Sequence, residues 1–228
     1  MTQMSDKIRK RIEEAGDGFF SNENISEHIH GDNELELLQE EVQDKMEDLL
    51  RSLVIDTEND HNTEETAKRV AKMFVKETFN GRYAAKPRVT SFPNASGYDQ
   101  LYLTGPISIR STCAHHMQNI VGKCWIGVFP GKEVIGLSKF NRIVDWVASR
   151  PQIQEEMTQQ IADEIQEITK AEGIAIVLKA EHHCMSHRGV KEHESDMTTS
   201  IMRGKFREDP ELKKEFLKLL GGMKGFQG

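Results

Sequence analysis

Two stretches concentrate the reactive side chains of this chain: Ser111-Thr-Cys-Ala-His-His116 and, much further on, His182-His-Cys-Met-Ser-His-Arg188. Of the three cysteines and nine histidines in 228 residues, they hold two and five. Cys113 and His116 stand three apart, a spacing at which one turn or strand end presents two donors to one ion. Cys184 offers a third donor from the distant stretch. Thiolate and imidazole are donors that zinc prefers, and three protein ligands leave one tetrahedral position for water, as in catalytic rather than structural sites. His115 and His182 flank the proposed ligands and remain available as acids or bases. Spacing alone leaves a plainer alternative open, that of buried thiols and ordinary histidines, because a lone C-x-x-H pair lacks the second knuckle of a zinc finger.

Two further groupings suit a nucleotide. Ser138-Lys-Phe-Asn-Arg142 stands at the expected start of a helix, where free N–H groups and the positive end of the dipole favour an anion. Lys139 and Arg142 add charge there, Arg188 lies four residues beyond Cys184, and Arg69 and Lys72 form an i, i+3 basic pair. Taken singly, each of these is an ordinary surface cation. Gln154-Glu155 is the second grouping: a carboxylate beside an amide matches the donor and acceptor edge of guanine. Most such pairs on helices are merely solvated.

The composition narrows the partners. A formal charge of −7 argues against nucleic-acid binding by bulk electrostatics, so an anionic substrate needs a local basic cluster. No apolar run approaches a membrane span, and the opening residues carry no apolar stretch of the secretory kind. Three cysteines form no disulfide framework. A cytoplasmic protein without membrane or nucleic-acid partners is expected.

The elements that must position these residues follow from periodicity. Residues 1–33 are polar and read as a flexible arm with one short helix around Lys7–Glu14. Over 34–85, Leu35, Leu38, Val42, Met46, Leu49, Leu50 and Leu53 mark an amphipathic helix, and a second carries Val70, Met73, Phe74 and Phe79 inward. From 86 to 228 the texture changes to strands around Arg88–Phe92, Gln100–Thr104, Pro106–Thr112 and Ile120–Phe129. Ser138 is expected to cap one helix and Pro151 to open the next. Ile174–Ala180 then delivers His182 and Cys184, followed by a strand near Thr198–Gly204 and a short helix from Pro210. The class is α+β: two antiparallel hairpins with a helix pair between them, behind N-terminal helices. Such a sheet keeps edges and a face to bury, which predicts a homo-oligomer.

At this point the residues carry a resemblance. The chain resembles the zinc-dependent GTP cyclohydrolase I family over about residues 48–220, through six blocks in the family's order. These are Arg69-Val-Ala-Lys-Met73, Ser111–His116, Ile135-Gly-Leu-Ser-Lys-Phe-Asn-Arg-Ile-Val144, Arg150-Pro-Gln-Ile-Gln-Glu155, His182-His-Cys184 with Arg188-Gly189, and Gly204-Lys-Phe-Arg-Glu-Asp-Pro210. The resemblance implies the tunnelling fold (T-fold), with closed β-barrels formed by oligomerisation and active sites between the subunits of a decamer. It implies Zn2+ on Cys113, His116 and Cys184, and catalysis by His115, His182 and Ser138. Guanine falls to Gln154 and Glu155, and the ribose and triphosphate to Ser138, Lys139, Arg142 and Arg188, with Arg69 and Lys72 reaching in from a neighbouring subunit. The implied reaction converts GTP to 7,8-dihydroneopterin triphosphate and formate.

Three departures stand out. Ala114 replaces the Glu usual in the family's Cys-Glu-His-His motif, Thr66-Ala67 replaces a Thr-Pro, and Met197 stands where Thr is common. Ala114 keeps a second reading in view, action on another purine nucleotide such as dGTP or arrest at an intermediate, while the intact His115, His182 and Glu155 speak against a third, an inactive zinc-bearing binding protein. Every implied ligand and acid or base is present, which favours the active enzyme.

Overall fold

The computed structural model describes residues 3–226. The chain divides into two units, Met1–Ala85 and Lys86–Gly228.

The N-terminal unit is helical. Helix α1 (Met4–Ala15) buries Met4, Ile8 and Ile12, one residue per turn, against Ile25 and Leu38, and ends at Gly16 in the left-handed conformation. Arg11 grips the Glu34 carboxylate with two hydrogen bonds of 2.6 Å each. Segment 19–24 is tied down as well, since Asn24 Nδ2 donates to the carbonyls of Gly81 and Ala84. The stretch expected as a flexible arm therefore contains a packed helix. Its apolar stripe is narrow, set among Asp, Lys, Arg and Glu, and gains meaning only from the residues that receive it. Helix α2 (Asp32–Ser52) buries only Leu38 and Leu50, while Leu49 and Leu53 of the expected stripe are exposed. Helix α3 (Thr66–Lys72) runs on through a π-helical turn (Met73–Thr78) to α4 (Asn80–Tyr83). Its buried line is Ala67, Ala71 and Val75; the larger Val70, Met73 and Phe74 are half-buried.

The second unit is built on two sheets. Strands β1 (Ser91–Pro93) and β4 (Glu133–Ile135) make a small antiparallel pair. The main sheet has the order β5-β2-β3-β6-β7, formed by β2 (Tyr102–Cys113), β3 (Asn119–Phe129), β5 (Pro151–Gln152), β6 (Gly173–His182) and β7 (Met197–Gly204). Strands β2–β3 and β6–β7 are the two expected antiparallel hairpins, and β3 pairs with β6 between them. The two runs read as separate strands before Cys113 are one strand, whose register shifts between Thr104 and Ile107. Helices α5 (Leu137–Ala148) and α6 (Gln154–Thr169) form the helix pair. The chain closes with α7 (His183–Ser186), α8 (Lys205–Glu208) and α9 (Pro210–Gly221).

Alternation along the strands sorts the core into two layers. Cys124, Ile126, Val128, Ile174, Ile176 and Leu178 pack with Phe140, Ile143, Val144, Met157, Ile161 and Ile165 of α5 and α6. Trp125, Ala175 and Val177 face the other way, onto Phe206, Leu212, Phe216 and Leu220 of α8 and α9. The second face expected to lie open is thus partly covered by the chain's own C-terminal helices. Gly127 permits this closeness, because a Cβ there would stand 2.6 Å from the Phe216 ring.

Two helix starts differ from expectation. Pro151 does not open α6: with Gln152 it forms β5, parallel to β2 through Thr112↔Pro151 and Cys113↔Gln152. A proline is tolerated in this two-residue edge strand, where its missing N–H breaks no long ladder. Ser138 does not cap α5, whose cap position is Gly136; Ser138 lies within the first turn and is exposed.

Candidate functional site

The site forms where three strand ends and one helix start converge. Cys113 ends β2 and is buried. A tight turn follows, closed by hydrogen bonds from Met117 N to Cys113 O (2.9 Å) and from Cys113 N to Gln118 O (2.7 Å). Met117 takes a positive φ of 52° to make it. His115 and His116 stand exposed on this hairpin tip, their ring centroids 6.5 Å apart. Cross-strand pairing of Ile120 with His182 brings the end of β6 alongside, and α7 then turns Cys184 toward Cys113. Burial pushes the Cys184 thiol above its ordinary pKa, and the neighbouring Cys113 thiol adds to this by charge and by hydrogen bonding. The Arg188 guanidinium opposes them.

This thiol pair fits a zinc ion chemically. Two adjoining thiols resist ionising side by side, and a divalent cation reverses that by favouring both thiolates. The His116 imidazole is exposed and is not gathered with them. Among the described residues, the group of three such donors within 4.8 Å of one another is Glu181, His183 and His187.

His182 is the most constrained acid or base of the site. Its Nε2 lies 2.8 Å from Gln154 Oε1. Gln154, the first residue of α6, is fully buried, and its amide nitrogen donates to Leu178 O (3.2 Å), Met197 O (2.9 Å) and Thr199 Oγ1 (3.1 Å). Two carbonyl acceptors fix which end of the amide is nitrogen, so Oε1 must face the ring and Nε2 of His182 must carry the hydrogen. The proton that comes and goes is then on Nδ1. Burial lowers the His182 pKa, while the Glu155 carboxylate pulls it upward. Glu155 itself is exposed in the first turn of α6. The pair read as a guanine reader is thus divided: Gln154 spends its side chain inward on His182, and Glu155 presents its carboxylate to solvent.

Other expected residues lie elsewhere. Lys139 is half-buried and Arg142 exposed, with Ser138, at the start of α5. The opposite end of α5 lies by the Cys113 end of β2, where Gln152 Nε2 donates to Val147 O at 2.6 Å, while Phe140 near the helix start packs on Tyr102 at the other end of that strand. Ser138 lies about 13 Å back along that helix axis. Arg69 and Lys72 belong to α3 of the N-terminal unit, where they pair with Glu65 (3.4 Å) and Glu77 (3.7 Å). Ala114 is half-buried next to Cys113, and its N–H donates to Gln152 O at 3.2 Å.

Gln152 is a residue that pattern reading missed. Fully buried, it joins Ser111 and the end of α5 to the strand carrying Cys113. The alternation Gln152-Ile-Gln154 after Pro151 was the available signal, since two amides two residues apart in an apolar setting imply buried partners.

The fold and site together define a class: an α+β protein whose mixed sheet brings two thiols and an amide-anchored histidine to one end. The sequence model of the GTP cyclohydrolase I family matches residues 42–221. GTP cyclohydrolase 1 of Haemophilus ducreyi is 42% identical over 181 residues, covering 79% of this chain and 83% of that protein. GTP cyclohydrolase 1 of Flavobacterium johnsoniae is 40% identical over 211 residues, covering 90% and 93%. That of Aliivibrio salmonicida is 39% identical over 180 residues, covering 78% and 82%. The chain belongs to the GTP cyclohydrolase I family. Among solved structures, an archaeosine synthase QueF-like protein in its apo form matches with a TM-score of 0.35 and 11% identity, over 53% of this chain and 97% of that one. No helix among the described residues is long and apolar enough to cross a membrane.

Proposed function

We propose that this chain catalyses the hydrolysis of GTP to 7,8-dihydroneopterin triphosphate and formate, with Zn2+ held by Cys113, His116 and Cys184. The observation that carries the reading is the Cys113–Cys184 thiol pair beside an imidazole whose Nε2 is pinned by Gln154. Zinc supplies Lewis acidity there and lowers the pKa of water to near neutrality. His182, protonated on Nδ1, donates to N7 of the base and withdraws electrons from C8. Its lowered pKa makes it a stronger acid than a solvated imidazole. The exposed Glu155 carboxylate accepts N1–H and the exocyclic amine of guanine. Lys139, Arg142 and Arg188 hold the triphosphate with Arg69 and Lys72, while His115 and Ser138 serve the later ribose opening, Amadori rearrangement and ring closure.

Within the second unit, α5 presents its far end to the thiols, so Ser138, Lys139 and Arg142 do not gather beside Cys113 and Cys184. A site that uses all of them is completed by neighbouring copies, as a homo-oligomer, a decamer of closed barrels, provides. The exposed Leu49 (50%), Leu53 (61%) and Val54 (92%) supply apolar surface for such packing. Three free thiols suit the reducing cytoplasm. The test mixes chains carrying Arg69→Ala with chains carrying His182→Ala. Each alone is expected to be inactive, and co-assembly restores part of the GTP turnover; no recovery in mixed oligomers counts against the shared site. Parallel assays with dGTP establish which nucleotide is preferred.

A further inference from the structure

Successive residues of a strand face opposite sides of its sheet, so β6 sends its last two side chains apart. His182 turns toward α6 and Gln154, on the face of Ile176 and Leu178. Glu181 takes the side of Ala175 and Val177 and lines a shallow depression with Lys179, His193 and Asp196. Its carboxylate also lies close to two histidines that the proposed reaction does not use. His187 N–H donates to His183 O at 3.0 Å, an α-helical step that sets both imidazoles on one side of the turn, with ring centroids 4.2 Å apart. His183 Nε2 lies 3.8 Å from Glu181 Oε1. The buried Ser186 hydroxyl stands 3.0 Å from His187 Nδ1, which occupies that nitrogen and makes Nε2 the one to bind a metal.

We propose that Glu181, His183 and His187 form a second metal site, separate from the thiol pair and on the other side of the strand. Their donor atoms lie within 4.8 Å of one another. A tetrahedral ion with bonds of about 2.0–2.2 Å draws such donors somewhat closer, which the exposed His187 accommodates by rotating. Two imidazoles and one carboxylate suit a borderline divalent cation such as Zn2+, Co2+ or Ni2+ rather than Mg2+ or Ca2+. Solvent completes the coordination, because the group is partly exposed. An ion there ties the end of β6 to α7, the turn that also presents Cys184.

The test is metal stoichiometry on metal-stripped, full-length protein dialysed against Zn2+ and, separately, Co2+. Two ions per chain are expected for the parent. The double variant His183→Gln/His187→Gln is expected to keep one, and with Co2+ to keep the thiolate-to-metal charge-transfer band of the cysteine site. Cys184→Ala is expected to lose that band and retain the other ion. A double variant that still binds two ions, or a parent that binds only one and loses it with Cys184→Ala, overturns the proposal. Loss of the charge-transfer band in the histidine variant also overturns it, since those histidines would then serve the thiol site. If instead the cysteine site itself binds nothing, no band appears in any protein, and the histidine variant still loses an ion. Circular dichroism and oligomer size exclude misfolding as the cause.

Discussion

Gln154 Oε1 accepts a hydrogen bond of 2.8 Å from His182 Nε2, and the three donations from the other end of the same amide prevent it from turning over. A glutamine buried at the head of a helix thereby selects the tautomer of a histidine at the end of a strand. The proton-transferring nitrogen is left as Nδ1, and a neutral amide rather than a carboxylate orients the ring.

Replacing Gln154 by Ala should therefore act on turnover rather than on binding. The expected fall in kcat is about 10- to 100-fold with KM for GTP little changed, as for a misplaced catalytic group. Steady-state kinetics check it. A rise in KM at constant kcat would instead place the Gln154 side chain on the base.

Glu155→Gln should do the opposite. Loss of a charge-assisted hydrogen bond to guanine costs about 1.5–3 kcal/mol, or roughly 10- to 150-fold in kcat/KM. Discrimination against inosine triphosphate, which lacks the exocyclic amine, should shrink in the same variant. Unchanged discrimination would remove Glu155 from base recognition.

The three thiols should separate cleanly. Cys184→Ala is expected to lose the zinc of the thiol site and ring opening together, while Cys124→Ala retains that zinc. Cys124 is fully buried in the core between the sheet and α5 and α6, and burial pushes its thiol far above the ordinary range. Its truncation should cost about 1–2 kcal/mol through lost packing alone. Zinc content by atomic emission and unfolding in urea distinguish the two cases.

The N-terminal unit gives a prediction with pH. The Arg11 guanidinium holds the Glu34 carboxyl down at about 2. A carboxyl depressed in the folded state contributes stability above its unfolded value of roughly 4.5, and that contribution is lost as pH falls toward 2. Because the pair is partly exposed, Glu34→Gln should cost only about 1 kcal/mol at pH 7. The difference from the parent should vanish near pH 2, as followed by exchange protection of α1. An equal difference at both pH values would contradict the ion-pair account.

Much of this was legible because rare residue types carried it. Cysteine and histidine are few, and their two clusters marked the candidate site before any strand was placed. The β3 and β6 runs were visible as apolar segments, since both faces of those strands are covered. What escaped depended on distant partners. Gln154 looked solvated because the carbonyls of Leu178 and Met197 that receive its amide lie on β6 and β7, remote in sequence. Pro151 signalled a helix start, yet the end of β2 claimed it as a strand. The stripe Met4, Ile8 and Ile12 was hidden among charges until Ile25 and Leu38 closed over it.

The most direct test follows formate release and pterin formation together, using the zinc-loaded protein and GTP. One formate is expected per 7,8-dihydroneopterin triphosphate, with both signals lost in His182→Ala that still holds zinc. Intact oligomers with zinc bound that release neither product from GTP would contradict the proposed function.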